Sequence, residues 1–348
     1  MISHPTRRTV LALAAGSALG APLIRRANAQ TRTVYVNSYG GVWETSWRKA
    51  FFEPFTAQTK IQVKTVPGVS FAKLKAQVQT RNYEWDVVNI GDSEYQQGMV
   101  EGLLEPVDKA AAKVHELPPQ IVRDNGIVSY SLGENLVYRK DKFPSGGPQS
   151  WADFWDVQKF PGSRGMHDHP HTCLCFALLA DGVPKDKLYP MDVDRAFRKM
   201  DEIKPHIKVW WREGSQSQQL IRDGEVDMST IWSARAVDLI ADKVPLEIVW
   251  NGAEIFTSNL IVPKGDPNAR NAWEFCNFVA QAKPQAEFAM LLPYGPANPG
   301  ARALMPEWRL RQTPAWPENE ELGFRHDAAW LGPRLAAIRE RWSHWLTT

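Results

Sequence analysis

From residue 33 onward, the period of the hydrophobic positions switches repeatedly between two and 3.6. In TVYVNSYGG, Val34 and Val36 alternate with polar neighbours, which predicts a strand running into Gly40-Gly41. WETSWRKAFFEPFTAQT then places Trp43, Trp47, Ala50, Phe51 and Phe55 at helical spacing, and KIQVKTV alternates again. A strand, a glycine loop, a helix and a strand in that order open an α/β sheet. FAKLKAQVQT reads as an amphipathic helix, WDVVNIGD as an apolar strand ending at Gly91-Asp92, and EYQQGMVEGLLEPVD as another helix.

Near residue 127 the texture changes. IVSYSLGENLVYRKDKFP is a near-continuous strand, long enough to cross between two lobes. SWADFW opens a fresh α/β unit with Ser150 as a helix cap. DVDRAFRKMDEIKP predicts a helix, IKVWW a strand, and SQSQQLIRDGEVDMSTIWSARAVDLI a helix, strand and helix. LEIVWNGAEIFTSNLIVPKG predicts a second crossing. Paired helices follow, and a last stretch puts Trp330, Leu335, Ile338, Trp342 and Trp345 on one helical face. Two α/β lobes joined by crossings leave a cleft, and ligands of open α/β sheets sit beyond the strands' carboxyl ends. The loops so placed are 38–41, 91–93, 167–172, 232–234 and 256–258.

The first 29 residues have a different character. Arg7-Arg8 precede a short apolar run and a small-x-small step at Ala27-Asn28-Ala29, the pattern of a cleaved export signal. The paired arginines point to the twin-arginine route, with the general secretory route as alternative. Without that segment the formal charge falls from +2 to −2, because it holds four arginines and no acid. A faintly acidic chain without Lys/Arg clusters argues against nucleic-acid binding. No apolar run reaches the roughly 20 residues of a membrane span. Three cysteines form no disulfide framework, and Cys276, in WEFCNFVA, reads as a small buried hydrophobe. Fifteen tryptophans must pack in cores or offer flat stacking surfaces.

FFEPFTAQTKIQV, AKLKAQVQTRNYEWDVV, EGLLEPVD, SWADFW, DGEVDMSTIWSARA, SNLIVP and LLPYGPANPGA occur in an order that resembles the periplasmic solute-binding proteins of bacterial ABC importers, specifically their spermidine/putrescine-binding group. The resemblance spans residues 33–345. It implies a two-lobed α/β fold of the type II periplasmic-binding-protein class, with a ligand cleft between lobes that close by hinge motion. The expected division is 30–132 plus 256–301 for one lobe and 133–255 plus 302–348 for the other. It implies a monomer without catalysis or cofactor, which hands a small amine to a membrane permease or reports it to a chemosensor.

Carried over by position, the family's aromatic contacts fall at Tyr39, Trp232, Phe256 and Tyr294. Such faces hold a methylene chain and attract an ammonium, worth about 0.5–2 kcal/mol each. The loop residues Gly40, Asp92 and Ser93 join them, and the acid that pairs with an amine falls at Asp168. Two further acid positions of the family are Thr172 and Ser258 here. A diamine wants an anion at each end, so Asp92, Glu134 and Glu254 are the candidate replacements, and Arg235 is placed to meet an anionic group. A zwitterionic or anionic solute is therefore the alternative ligand. Aromatic residues at strand ends also serve simply as core. Asp86 in WDVV reads as a local backbone cap.

GMHDHPHTCLC puts His167, His169, His171, Cys173 and Cys175 at alternate positions, as though on one face of a strand. Pro170 breaks that strand, and HTCLCFALLADG has the composition of a helix from about Thr172 to Gly182. The two cysteines then point roughly 200° apart, so the alternation is not a metal-binding stripe. The histidines remain in a strand-to-helix loop, where a neutral imidazole can accept a hydrogen bond from a ligand amine. The competing readings are a transition metal on His167 and His169 with Asp168, an exported metalloenzyme using Glu134 or Asp168 as base, and ferric-ion capture, for which Tyr294 stands alone.

Overall fold

The computed structural model describes residues 33–348; the expected export signal, residues 1–29, lies outside the described residues. The chain opens with β1 (Thr33–Ser38), α1 (Gly41–Trp47), a wide helical turn over 48–52, and α2 (Glu53–Thr59). β2 (Gln62–Pro67) pairs parallel with β1, and α3 (Phe71–Thr80) starts where the Ser70 side chain accepts from the Lys73 N–H. β3 (Val88–Gly91) leads directly into α4 (Asp92–Val100). That helix is shorter than the pattern suggested: Gly102 takes a positive φ of 65° and Leu104 bridges Pro263 instead.

After β4 (Val122–Arg123) comes the long strand β5 (Gly126–Arg139), buried along almost its whole length. The second α/β unit contains α5 (Trp151–Trp155), β6 (Arg164–His167), α6 (Pro170–Ala180), α7 (Val193–Ile203), β7 (Ile207–Trp211), α8 (Gly214–Arg222), β8 (Met228–Trp232) and α9 (Ser233–Ala241). β6 runs parallel to both β7 and β8, as strands joined by helical crossovers must. α6 begins two residues earlier than expected, with Pro170 in its first turn, where a missing N–H costs nothing. Apolar on every side, it is buried on every side, both cysteines included. Cys173 donates to the His167 carbonyl at 2.9 Å.

β9 (Leu246–Ile261) is the second crossing strand and lies antiparallel beside β5 over most of its length. α10 (Ala269–Ala280), α11 (Ala282–Leu291) and β10 (Gly295–Pro296) follow, and a helix over Leu335–Thr347 closes the chain. The main sheet runs β3-β9-β5-β8-β6-β7, so β5 and β9 are its shared centre.

Two principal cores flank that centre. One gathers Val36, Trp47, Phe55, Phe275 and Phe288 around β1 and α10. The other gathers Trp151, Phe176, Met200 and Trp342, which brings the chain's final helix against α6 and α7. Trp47 and Trp273 are fully buried, and each such side chain stabilises its lobe by roughly 4–6 kcal/mol from apolar area alone. Asp86 is fully buried and accepts from the Tyr35 N–H and the Asn268 side chain, a structural role but a long-range one and not the local cap expected.

Candidate functional site

The sheet register creates the central feature of the site. On neighbouring antiparallel strands Glu134 of β5 stands directly opposite Glu254 of β9, and Trp232 at the end of β8 stands opposite Glu134 from the other side. Opposed residues on adjacent strands share a face, so two carboxylates are brought together, and both are buried. Such a pair is costly unless each acid has a basic partner. Each has one. His167 Nδ1 lies 2.9 Å from Glu134 Oε2, and His326 Nδ1 lies 2.6 Å from Glu254 Oε1.

Around these groups lies a cavity of about 320 Å³. Tyr39, Phe71, Trp232 and Phe256 supply its apolar wall; Ser93, Thr172, Glu94 and Arg339 add polar groups. Four of the chain's eight histidines, His167, His169, His171 and His326, line it. His167 is stacked face to face on Trp211 at 3.9 Å, and His169 stacks on His167 at 4.8 Å. Thr172 Oγ1 and His169 Nδ1 are 2.9 Å apart, which fixes that ring.

Protonation differs around the cluster. Burial, reinforced by His167 beside it, pulls His169 down to about 4. Burial, together with His169 and His326, holds His171 well below the usual imidazole range, so both rings are neutral near pH 7. For His326 burial pulls the same way, but the hydrogen bond and charge of Glu254 outweigh it and the ring is raised. Glu254 is correspondingly lowered, against the upward pull of burial, by the same contact. These two form a buried ion pair.

Six of the residues carried over by position line the cavity: Tyr39, Asp92, Ser93, Thr172, Trp232 and Phe256. Among them Asp92 is already committed. Its carboxylate accepts from Arg123 at 2.7 Å, from the Thr257 N–H at 2.7 Å and from Asn259 at 3.2 Å. The other four take different places. Asp168 is turned away from the cavity, because Arg212 Nε and Trp342 Nε1 each donate to it at 2.7 Å. Ser258 is buried in the sheet and donates to Asn89 Oδ1. Tyr294 stacks on Tyr130 with ring centres 4.9 Å apart and belongs to the first core. Gly40 precedes α1 with a φ of 69° and serves the turn. Arg235 lies outside the lining, 5.9 Å over the Trp232 ring and bonded to Gln218.

Position-by-position reading missed His326 and Arg339. Both come from the segment after residue 322, which folds back across the cleft. His326 Nε2 is 3.2 Å from Ser93 Oγ, and Arg339 donates to Glu94 at 2.7 Å. No local pattern marks either residue; FRHDAAW looks like any polar turn before a helix.

A cleft closed over by two α/β lobes, lined by aromatic and paired charged groups, defines a small-molecule binding protein. Residues 50–322 match the family of bacterial extracellular solute-binding proteins. The chain is 34% identical over 338 residues to the gamma-aminobutyric acid-binding protein of Pseudomonas aeruginosa, covering 94% of this chain and 95% of that one. Over 291 residues it is 20% identical to the spermidine/putrescine-binding periplasmic protein of Escherichia coli, covering 80% and 83%. Among solved structures, the Atu4243-GABA receptor superposes with a TM-score of 0.83 at 33% identity, covering 90% of this chain and 97% of that chain. AgtB from A. tumefaciens R10 in complex with agropinic acid gives 0.83 at 32% identity, covering 91% and 99%. The chain belongs to the bacterial extracellular solute-binding proteins. The polyamine binders are its more distant relatives, and its two-lobed fold is that of the periplasmic binding proteins of ABC transporters.

Proposed function

We propose that this protein captures a small zwitterion bearing an amine and a carboxylate, of the ω-amino-acid type, in the periplasm and presents it as a monomer to an ABC permease. One observation carries the choice of ligand. Every carboxylate in the cavity wall already faces a basic side chain: Asp92 with Arg123, Glu94 with Arg339, Glu134 with His167 and Glu254 with His326. A dication entering this wall would find no unpartnered carboxylate for either charge as it leaves water, whereas a zwitterion brings no net charge. The name of a relative above 30% identity, a gamma-aminobutyric acid-binding protein, supports the same class.

In this reading Tyr39, Trp232 and Phe256 sandwich the methylene chain. The ligand amine meets Glu134 and the neutral face of His169, while its carboxylate meets Arg339, Ser93 and Thr172. The lobes divide within β5 and β9, near 132/133 and 255/256, so ligand contact and hinge coincide. Burial of the ligand then favours the closed form through its greater affinity for that form.

The test is a titration of unfolded and refolded, ligand-free protein in EDTA, followed by tryptophan fluorescence and melting temperature. A ligand at 100 times its Kd adds about 2.7 kcal/mol of stability. Saturable stabilisation by 4-aminobutyrate or a longer ω-amino acid, without response to putrescine or spermidine, is the expected result. Tight putrescine binding would return the ligand to the polyamines and refute the charge-balance argument.

A further inference from the structure

We propose that His171, Glu254 and His326 hold a divalent transition-metal ion of the zinc class, with an open coordination position facing the cavity. The three residues come from α6, β9 and the loop before the last helix, elements brought together only by the tertiary fold. Their donor atoms lie within 4.8 Å of one another. Glu254 Oε1 is 2.6 Å from His326 Nδ1 and 3.9 Å from His171 Nε2. Ligand atoms about 2.0–2.2 Å from a tetrahedral zinc stand roughly 3.3 Å apart, between those two separations. Two imidazoles and one carboxylate with a free fourth position is a donor set that zinc accepts.

A second observation points to a missing partner. His171 is 3% exposed, yet its Nδ1 has no hydrogen-bond partner. Nor does its Nε2 reach a carboxylate closer than 3.9 Å. A buried imidazole without a hydrogen bond is expensive, and an ion held by Nε2, the nitrogen that faces Glu254, gives the ring a partner it otherwise lacks, while Nδ1 stays unpartnered. His326 also has the outer-shell contact that metal-bound histidines use, its second nitrogen lying 3.2 Å from Ser93 Oγ. The neighbouring trio Glu134, His167 and His169 has no such orphan: His167 bonds Glu134, and His169 bonds Thr172. It is satisfied without an ion and supplies the control.

The test is a titration of the EDTA-stripped, dialysed protein with Co²⁺, read by the visible band of low-coordinate cobalt, and with Zn²⁺ by competition against a chromophoric chelator. One equivalent should bind. His326→Gln and Glu254→Gln should each weaken it at least tenfold, and His167→Gln should leave it unchanged. Near-UV circular dichroism of the tryptophans checks that each variant is folded, and His171→Asn replaces any that is not. Absence of the cobalt band in the parent protein, or equal affinity in the folded variants, overturns the proposal. The ω-amino-acid titration is run in EDTA, so failure of either reading leaves the other readable.

Discussion

Asp92 looked like a ligand contact but is built as a structural clasp, and substituting it separates the two roles. In Asp92→Asn one carboxylate oxygen becomes an NH₂ group. It then either faces the Thr257 N–H, now 2.7 Å from Oδ2, or loses the Arg123 contact of 2.7 Å on Oδ1. Hydrogen bonds to charged groups are worth about 1.5–3 kcal/mol each. Breaking a fully buried ion pair costs about 3–5 kcal/mol, but the Arg123 side chain is 28% exposed and part of that is screened. We expect a loss of about 2–4 kcal/mol at pH 7, a fall in Tm of roughly 4–8 °C for a fold of this size.

The pH dependence has a definite sign. Burial pushes Asp92 up, but Arg123, Thr257 and Asn259 together hold it below the usual carboxylate range. A depressed folded value gives stability that is fully present above the unfolded pKa of about 3.9 and is lost as pH falls through the folded value. The difference between parent and variant, measured by urea unfolding, should therefore be constant from pH 7 to about 5 and shrink below about 4. A difference under about 0.5 kcal/mol at pH 7, or one that does not change by pH 3, would refute the assignment.

Asp168→Asn should leave ligand affinity within about threefold while lowering Tm, because its carboxylate holds Trp342 and Arg212 and not the cavity; a tenfold loss of affinity would return it to the site. Trp232→Ala should weaken ω-amino-acid binding by about 5–30-fold, the equivalent of about 1–2 kcal/mol of aromatic contact, with the far-ultraviolet spectrum unchanged. Arg164→Met should destabilise by about 2–4 kcal/mol in thermal melts, since its buried guanidinium donates to the carbonyls of Phe154, Phe160 and Gly162 and the variant strands all three.

Most of the elements were legible because their signals are local. Ser70 and Ser150 cap helices that begin beside them, and the alternation in TVYVNS and the long, breaker-poor stretch from Gly126 mark their strands. The helix read through EGLLEPVD failed at Gly102, whose backbone is worth more to the turn than to a further helical turn. The cavity was legible in part. Strand ends pointed to Tyr39, Ser93, Thr172 and Trp232, which sit at or just past them, whereas Phe256, expected in a loop at 256–258, lines the cavity from inside β9. The acids were harder to place. Asp168, carried over as the amine's partner, is claimed by Trp342, a residue 174 positions away, while Glu134 and Glu254, named as candidate replacements, meet only through strand register across 120 positions of chain. Contacts of that range leave no trace in local periodicity.

The order in which the chain is made adds a consequence to the fold-back of its last segment. His326 and Arg339 leave the ribosome after every other residue of the cavity wall, and until they do Glu254 lacks its hydrogen-bonded histidine and Glu94 its guanidinium. The first lobe's aromatic core is complete some thirty residues earlier, since its last member in the chain is Tyr294. A nascent chain stalled before residue 326 would thus carry a finished first-lobe core beside a second core still lacking Trp342 and a pocket still open. Ligand-induced protection from proteolysis should appear only once the final helix is released.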